Sequence, residues 1–179
     1  MIRLSPVMQK FILHWGEMGT RWGINRTVAQ VYALLYLSPE PLNAEDIAKT
    51  LSVARSNVST SLRELQGWGI VKVAHVLGDR RDHFTATKDA WETFQKILDA
   101  RKRREVDPTL EVLQACVGQL DGGDSRDKYV RQHLLDLLDF FATMVSLYEE
   151  VRRLPSDRLR QIVKLRGKMR KLLALDRSG

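Results

Sequence analysis

The order of elements between Asn43 and Thr87 constrains this 179-residue chain more than any other feature. Asn43 precedes a short segment in which Ile47, Ala48 and Leu51 share one side. Asp46 stands three residues on, a variant of the capping box with Asp in place of Glu. A tight turn follows, then a second helix from about Arg55 to Gln66, stopped by Gly67 and Gly69. Ile70 to Val76 is rich in β-branched residues and reads as a strand. Gly78-Asp79-Arg80-Arg81-Asp82 reads as a polar turn, and His83 to Thr87 as a second strand. Helix, turn, helix and hairpin in that order make a winged helix-turn-helix.

On a helical wheel, Val58, Leu62 and Leu65 gather on one side of the second helix. Ser56, Thr60 and Arg63 fall opposite, with Ser59 at the edge and Asn57 nearer the flank. The only acid near this face is Glu64, at its flank. A helix entering a DNA major groove needs such a surface. Short hydroxyls let the backbone approach phosphates, and arginine can pair with both guanine acceptors. Arg55 and Ser56 begin the helix, where free N–H groups attract phosphate. A merely solvated face would carry Glu, Lys and Gln, because Ser, Thr and Asn are poor helix formers. Their presence points to a functional demand. On the hairpin, Arg80 and Arg81 suit the negative potential of a minor groove, unless Asp79 and Asp82 pair with them.

Around this segment the chain reads as helix. Ser5-Pro6 opens a helix through Phe11, Ile12, Trp15 and Met18, which Gly16, Gly19 and Gly23 should weaken. Asn25 caps another, with Val28, Val31, Tyr32 and Leu35 on its apolar face. After Lys88, one helix carries Ala90, Phe94, Ile97 and Leu98 and ends in the charge run Arg101 to Glu105. Pro108 opens the next, through Leu110, Leu113 and Val117. Asp121 to Asp124 is a loop. A long helix then presents Leu134, Leu138, Phe141, Val145 and Tyr148 at near-heptad spacing, and Pro155 breaks it. Ser156 can cap a last, basic helix with Leu159, Ile162, Leu165, Met169 and Leu172 inward. A small winged helix cannot bury such seams alone, so a second copy of the chain is expected to cover them.

The fold class expected is mainly α with a small β-hairpin wing: a winged helix-turn-helix plus a helical dimerisation region. Its parts are an N-terminal helix (1–24) serving the dimer or an effector, the DNA-binding domain (25–90), and a C-terminal helical region (91–179). The net charge of +7 favours a polyanionic partner. The lone Cys116, among Val112, Leu113, Ala115 and Val117, reads as a small buried apolar residue and fits a reducing cytosol. No signal peptide or membrane span is read, so the expected location is the cytoplasm. The scattered His14, His75, His83 and His133 lack metal-ligand spacing. No phosphate loop or nucleophile elbow is present, so no enzyme and no cofactor is expected.

A family resemblance rests on Leu34-Leu35-Tyr36-Leu37-Ser38-Pro39-Glu40-Pro41-Leu42, on Ile47-Ala48, Leu51 and Val53, and on Arg55-Ser56-Asn57-Val58-Ser59. It continues through Leu62-Arg63-Glu64-Leu65, Gly69-Ile70-Val71 and Gly78-Asp79-Arg80-Arg81-Asp82. Over roughly residues 11–91 the chain resembles the MarR superfamily, and within it the GbsR-like branch of osmolyte-linked regulators. The resemblance implies a homodimer, recognition helices in successive major grooves of a pseudo-palindromic operator, and repression tuned by a small ligand. It also implies a quaternary ammonium or related osmolyte as that ligand. Trp15, Trp22, Tyr32, Tyr36 and Trp91 are the aromatics that would cage such a cation, although aromatics on helices more often serve the core. One departure is Ala54, where such proteins commonly carry a Ser or Thr cap. The double-stranded DNA contacts expected are therefore Arg55, Ser56, Asn57, Ser59, Thr60, Arg63, Arg80 and Arg81. The competing class is a winged helix used as a protein-interaction adaptor.

Overall fold

The computed structural model describes residues 3–120, 124–153 and 158. The chain divides into two compact units, with the boundary between Ala100 and Arg101.

The first unit begins with α1 (Pro6–Arg21), where the Ser5 side chain accepts a hydrogen bond from the Met8 N–H and Pro6 occupies the first turn. Asn25 caps α2 (Arg26–Leu37) through the Thr27 N–H at 2.8 Å. Gly16 and Gly19 do not interrupt α1; both are buried against α2. A Cβ on Gly19 would lie 2.5 Å from the Ala29 Cβ, and one on Gly16 2.7 Å from the Gln30 Cγ. The cost of glycine in a helix is thus offset by a close helix–helix approach that no larger residue permits. Val28, Val31, Tyr32, Ala33, Leu34 and Leu35 are all buried, so α2 is the central helix of this unit.

A strand absent from the sequence reading comes next. β1 (Leu42–Asn43) pairs antiparallel with β3 (Asp79–Ala86), Leu42 opposite Phe84 and Asn43 opposite His83. β2 (Val71–Val76) lies on the other side of β3, making a three-stranded sheet in the order β1-β3-β2. Between β1 and β2 stand α3 (Ala44–Leu51) and α4 (Arg55–Gly67). Asn43 caps α3 by accepting from the Asp46 N–H, and its own amide donates to the Asp46 carboxylate at 2.8 Å. Ile47, Val58, Leu62, Leu65, Ile70 and Phe84 join the α2 residues in one core.

α5 (Ala90–Arg101) is tied to α2 by a buried hydrogen bond from the Tyr32 hydroxyl to Thr93 Oγ1, 3.1 Å long. The Lys88 ammonium donates to the carbonyls of Leu35, Tyr36 and Ser38, satisfying the open C-terminal end of α2.

In the second unit, a π-helical turn (Lys102–Val106) leads into α6 (Asp107–Gln119). The helix therefore does not stop at the charge run. The Asp107 N–H reaches back five residues to the Lys102 carbonyl, and the widened turn carries the chain past Pro108. α6 packs against α7 (Ser125–Arg153). Leu110, Leu113 and Val117 are half-buried, whereas Cys116 is exposed, as is Val112 on the same flank. The expectation of a buried Cys116 fails because it lies off the α6 seam. Leu134, Leu138, Phe141, Val145 and Tyr148 are half-buried within this unit. The loop over 121–123, Pro155 and the basic last helix from Ser156 lie outside the described residues, Arg158 apart. No helix among the described residues is long and apolar enough to cross a membrane.

Candidate nucleic-acid interface

α4 buries one side and offers the other. Val58, Ser61, Leu62 and Leu65 are buried, while Arg55, Ser56, Asn57, Thr60 and Arg63 are exposed and Ser59 is half-buried. The wheel drawn from the sequence thus matches the helix as folded. Arg63 rests on its own helix, donating to the Ser59 carbonyl at 3.5 Å and to Thr60 Oγ1 at 3.4 Å. These long local bonds are weak, so the guanidinium is free to extend toward a base edge at little cost. Ala54 occupies the N-cap of α4 and supplies no side-chain bond, which leaves the first N–H groups open.

The turn into α4 is tight. Ser52 ends α3 in the left-handed region, at φ 54°, and only Val53 and Ala54 separate it from Arg55. This reversal sets α4 across α3 with its polar side outward.

The hairpin differs from the sequence reading. The turn is Leu77-Gly78, with Gly78 at φ 85° and Val76 paired with Asp79. Asp79 to Asp82, expected as the loop, already belongs to β3. A two-residue turn needs a left-handed position, and Gly78 fills it, so the strands close one step earlier. Gly78 was the signal that could have placed the tip.

As a result Arg80 and Arg81 stand on the strand, in different surroundings. Arg81 Nε donates to Asp79 Oδ1 at 3.0 Å and Nη2 to Oδ2, while the Arg81 N–H also bonds Oδ1 at 3.0 Å. This fork holds the Asp79 carboxyl well below the usual carboxylate range and pushes the Arg81 guanidinium up. Glu45 at the start of α3 lies 3.8 Å from Arg81 and 2.7 Å from Lys49. The hydrogen bond from Lys49, then the charges of Lys49, Arg81 and Arg55, lower the Glu45 carboxyl. His83 is buried beneath, its Nδ1 2.9 Å from the Arg81 carbonyl and its Nε2 3.5 Å from Asp79. Arg80 is exposed and makes no ion pair among the described residues. Glu45 was missed by sequence reasoning, because nothing in the sequence brings α3 to the hairpin.

A cleft of about 390 Å³ opens between these parts, lined by Arg55, Ser59 and Arg63 of α4, Glu45 of α3, and Arg81 and Asp82 of β3. The structure therefore gathers Arg55, Ser59, Arg63 and Arg81, half of the polar candidates, around one concavity; Ser56, Asn57 and Thr60 lie on α4 outside its lining, and Arg80 stands beside the hairpin tip.

The aromatic candidates do not form one cage. Trp15 stacks on Phe11 at 5.3 Å and meets Trp22 edge-on at 6.1 Å. Tyr32 and Tyr36 pair with each other at 5.8 Å, and Trp91 pairs with Phe94 at 5.9 Å. Tyr32 is buried, which pushes its phenol up, whereas Trp22 is about half exposed. No group of three metal-ligating side chains stands together among the described residues.

Residues 22–82 match the family model of the MarR family. The HTH-type transcriptional repressor GbsR of Bacillus subtilis is 25% identical over 136 residues, covering 74% of this chain and 75% of that protein. The HTH-type transcriptional regulator MmpR5 of Mycobacterium tuberculosis is 24% identical, covering 79% and 84%. A crystal structure of a transcriptional regulator superposes with a TM-score of 0.67 at 20% identity, over 82% of this chain and 95% of that one. That superposition concerns the fold alone, and it is the winged helix described above. The match to the MarR family is thus carried by residues 22–82, and over about three quarters of its length the chain is similar to the GbsR repressor at low identity.

Proposed function

We propose that this chain is a DNA-binding transcription regulator of the repressor type, acting as a homodimer on a pseudo-palindromic operator and tuned by a small ligand. The observation that carries the reading is the outward face of α4, where Ser56, Thr60 and Arg63 are exposed and the helix start is uncapped. Such a face donates to phosphates and base edges, and the one acid of α4, Glu64, stands at its flank. Its relatives are named as transcription regulators, which agrees with a regulator rather than an enzyme. The location we propose is the cytoplasm, where a bacterial-type regulator would meet its DNA.

Support for the homodimer comes from α7, though not from the stripe the sequence suggested. Val130 and Leu137 stand seven apart, Phe140, Met144, Leu147 and Val151 follow at alternating steps of three and four, and all are exposed. Phe140 and Leu147 are each 57% exposed. A second copy would bury this heptad stripe, as coiled-coil seams are buried. Two chains related by a two-fold axis would then present two α4 helices to a two-fold DNA site.

The ligand we propose is a quaternary ammonium or related osmolyte, as the GbsR-like resemblance implies. The half-exposed Trp22 beside Trp15 offers ring surface to such a cation; Tyr32, Tyr36 and Trp91 stand in other ring pairs.

A gel shift against the DNA upstream of its own gene, repeated at rising salt, tests the reading. A specific complex whose affinity falls steeply with salt is expected. Absence of any specific complex at low salt would favour the adaptor instead.

A further inference from the structure

We propose that Leu77 is an apolar wedge that enters the minor groove at a base step and bends the DNA. The proposal rests on the DNA-binding reading above and adds to it a residue and a mechanism.

Leu77 is the first residue of the two-residue turn joining β2 to β3. Its relative exposure is 103%, the highest of any large apolar side chain among the described residues. It therefore contributes nothing to the core. The turn does not call for it either: of its two residues only Gly78 has a positive φ, so the position before it accepts ordinary residues, polar ones included. A single exposed leucine on a flat surface carries no message. Its position gives this one meaning.

In a winged helix bound to DNA, the hairpin apex lies over the minor groove beside the helix-filled major groove. Proteins that grip the minor groove insert Leu, Ile, Phe or Met between bases, unstack the step and kink the duplex. Such a wedge needs a cation close by to hold the groove walls. Arg80 supplies it: exposed, three residues from Leu77, and outside the Asp79–Arg81–Glu45 ion pairs. Val76, also partly exposed, widens the apolar tip. Arg81, by contrast, is held by its carboxylates and fixes the direction of the hairpin.

Insertion moves a wholly solvated leucine into a stack of bases. Truncation to alanine should cost about tenfold in affinity if most of that burial is lost. Because the side chain packs on nothing, the fold should be untouched.

The test uses the full chain, Leu77→Ala and Leu77→Met on a duplex selected with the wild-type chain from a random-sequence library. Affinity, bend angle by circular permutation, and 2-aminopurine fluorescence at the step under the tip are read together. The expected result is a bent wild-type complex with raised fluorescence. Leu77→Ala should bind about tenfold more weakly, with the bend and the fluorescence rise lost; Leu77→Met should restore all three. A Leu77→Ala complex with wild-type affinity, bend and fluorescence would overturn the wedge while leaving the DNA-binding reading intact. Failure of the wild-type chain to select any duplex would overturn that reading itself.

Discussion

The Arg81 guanidinium grips the Asp79 carboxylate two residues earlier on the same strand, with Nε 3.0 Å from Oδ1. The grip lowers the Asp79 carboxyl from its ordinary value of 3.8. Its stabilising effect is therefore complete above that ordinary value and declines only as pH falls toward the lower folded value. In a carbon-detected NMR titration, Asp79 should stay ionised below the normal carboxylate range. In Arg81→Ala it should return toward that range. The stability difference between the two proteins should be present at neutral pH and shrink in strong acid. An Asp79 that titrates normally in the wild-type chain would contradict the ion pair.

The α1–α2 crossing predicts a sharp size limit. Gly19→Ala places a methyl 2.5 Å from the Ala29 Cβ. Overpacking of this kind costs about 1–3 kcal/mol, outweighing the roughly 1 kcal/mol that alanine gains over glycine in a helix. Urea denaturation should show a net loss, relieved when Ala29→Gly is added. A more stable Gly19→Ala protein would show that the helices stand further apart.

Ala54 leaves the start of α4 uncapped. Ala54→Ser should stabilise the fold by about 0.5–2 kcal/mol, since serine at an N-cap satisfies a free N–H. Thermal unfolding checks this. An unchanged midpoint would mean that the N–H groups at this end already have solvent partners as good as a cap.

These residues also show what a sequence discloses. Caps at Ser5, Asn25 and Asn43 are local chemistry and were legible, as was the split of α4 into Val58, Leu62 and Leu65 inward and Ser56, Thr60 and Arg63 outward. Period and cap chemistry act within a few residues. What was missed depends on partners distant in the chain. β1 is two residues long and exists because Phe84 and His83 pair with it. Gly16 and Gly19 read as weak points of the helix until Gln30 and Ala29 are seen against them. Glu45 meets Arg81 only through the fold. The hairpin tip is a different kind of miss: five polar residues looked like a loop, yet the single left-handed Gly78 decided where the strands close. On α7 the near-heptad stripe through Leu134 and Leu138 was the easier to see, and it is half-buried in its own unit.

The stripe it left exposed predicts the assembly. Phe140→Glu puts a charge at the centre of the α7 face that a second copy would cover. Sedimentation at micromolar concentration should show a dimer for the wild-type chain and a monomer for Phe140→Glu, with the α4 fold unchanged by circular dichroism. Specific DNA affinity should fall with the dimer, because one half-site alone is then held. A wild-type monomer, or a Phe140→Glu dimer, would contradict this use of α7.

The central claim is that the α4 face reads DNA, and Arg63 tests it most directly. Titrate wild type and Arg63→Ala against the selected duplex and against random duplex at one fixed salt concentration. If Arg63 pairs with a base, specific binding should weaken by about 1–3 kcal/mol while random-sequence binding changes far less. Equal losses on both duplexes would reduce Arg63 to a phosphate contact. Unchanged affinity on both would remove the α4 face from the interface and contradict the account.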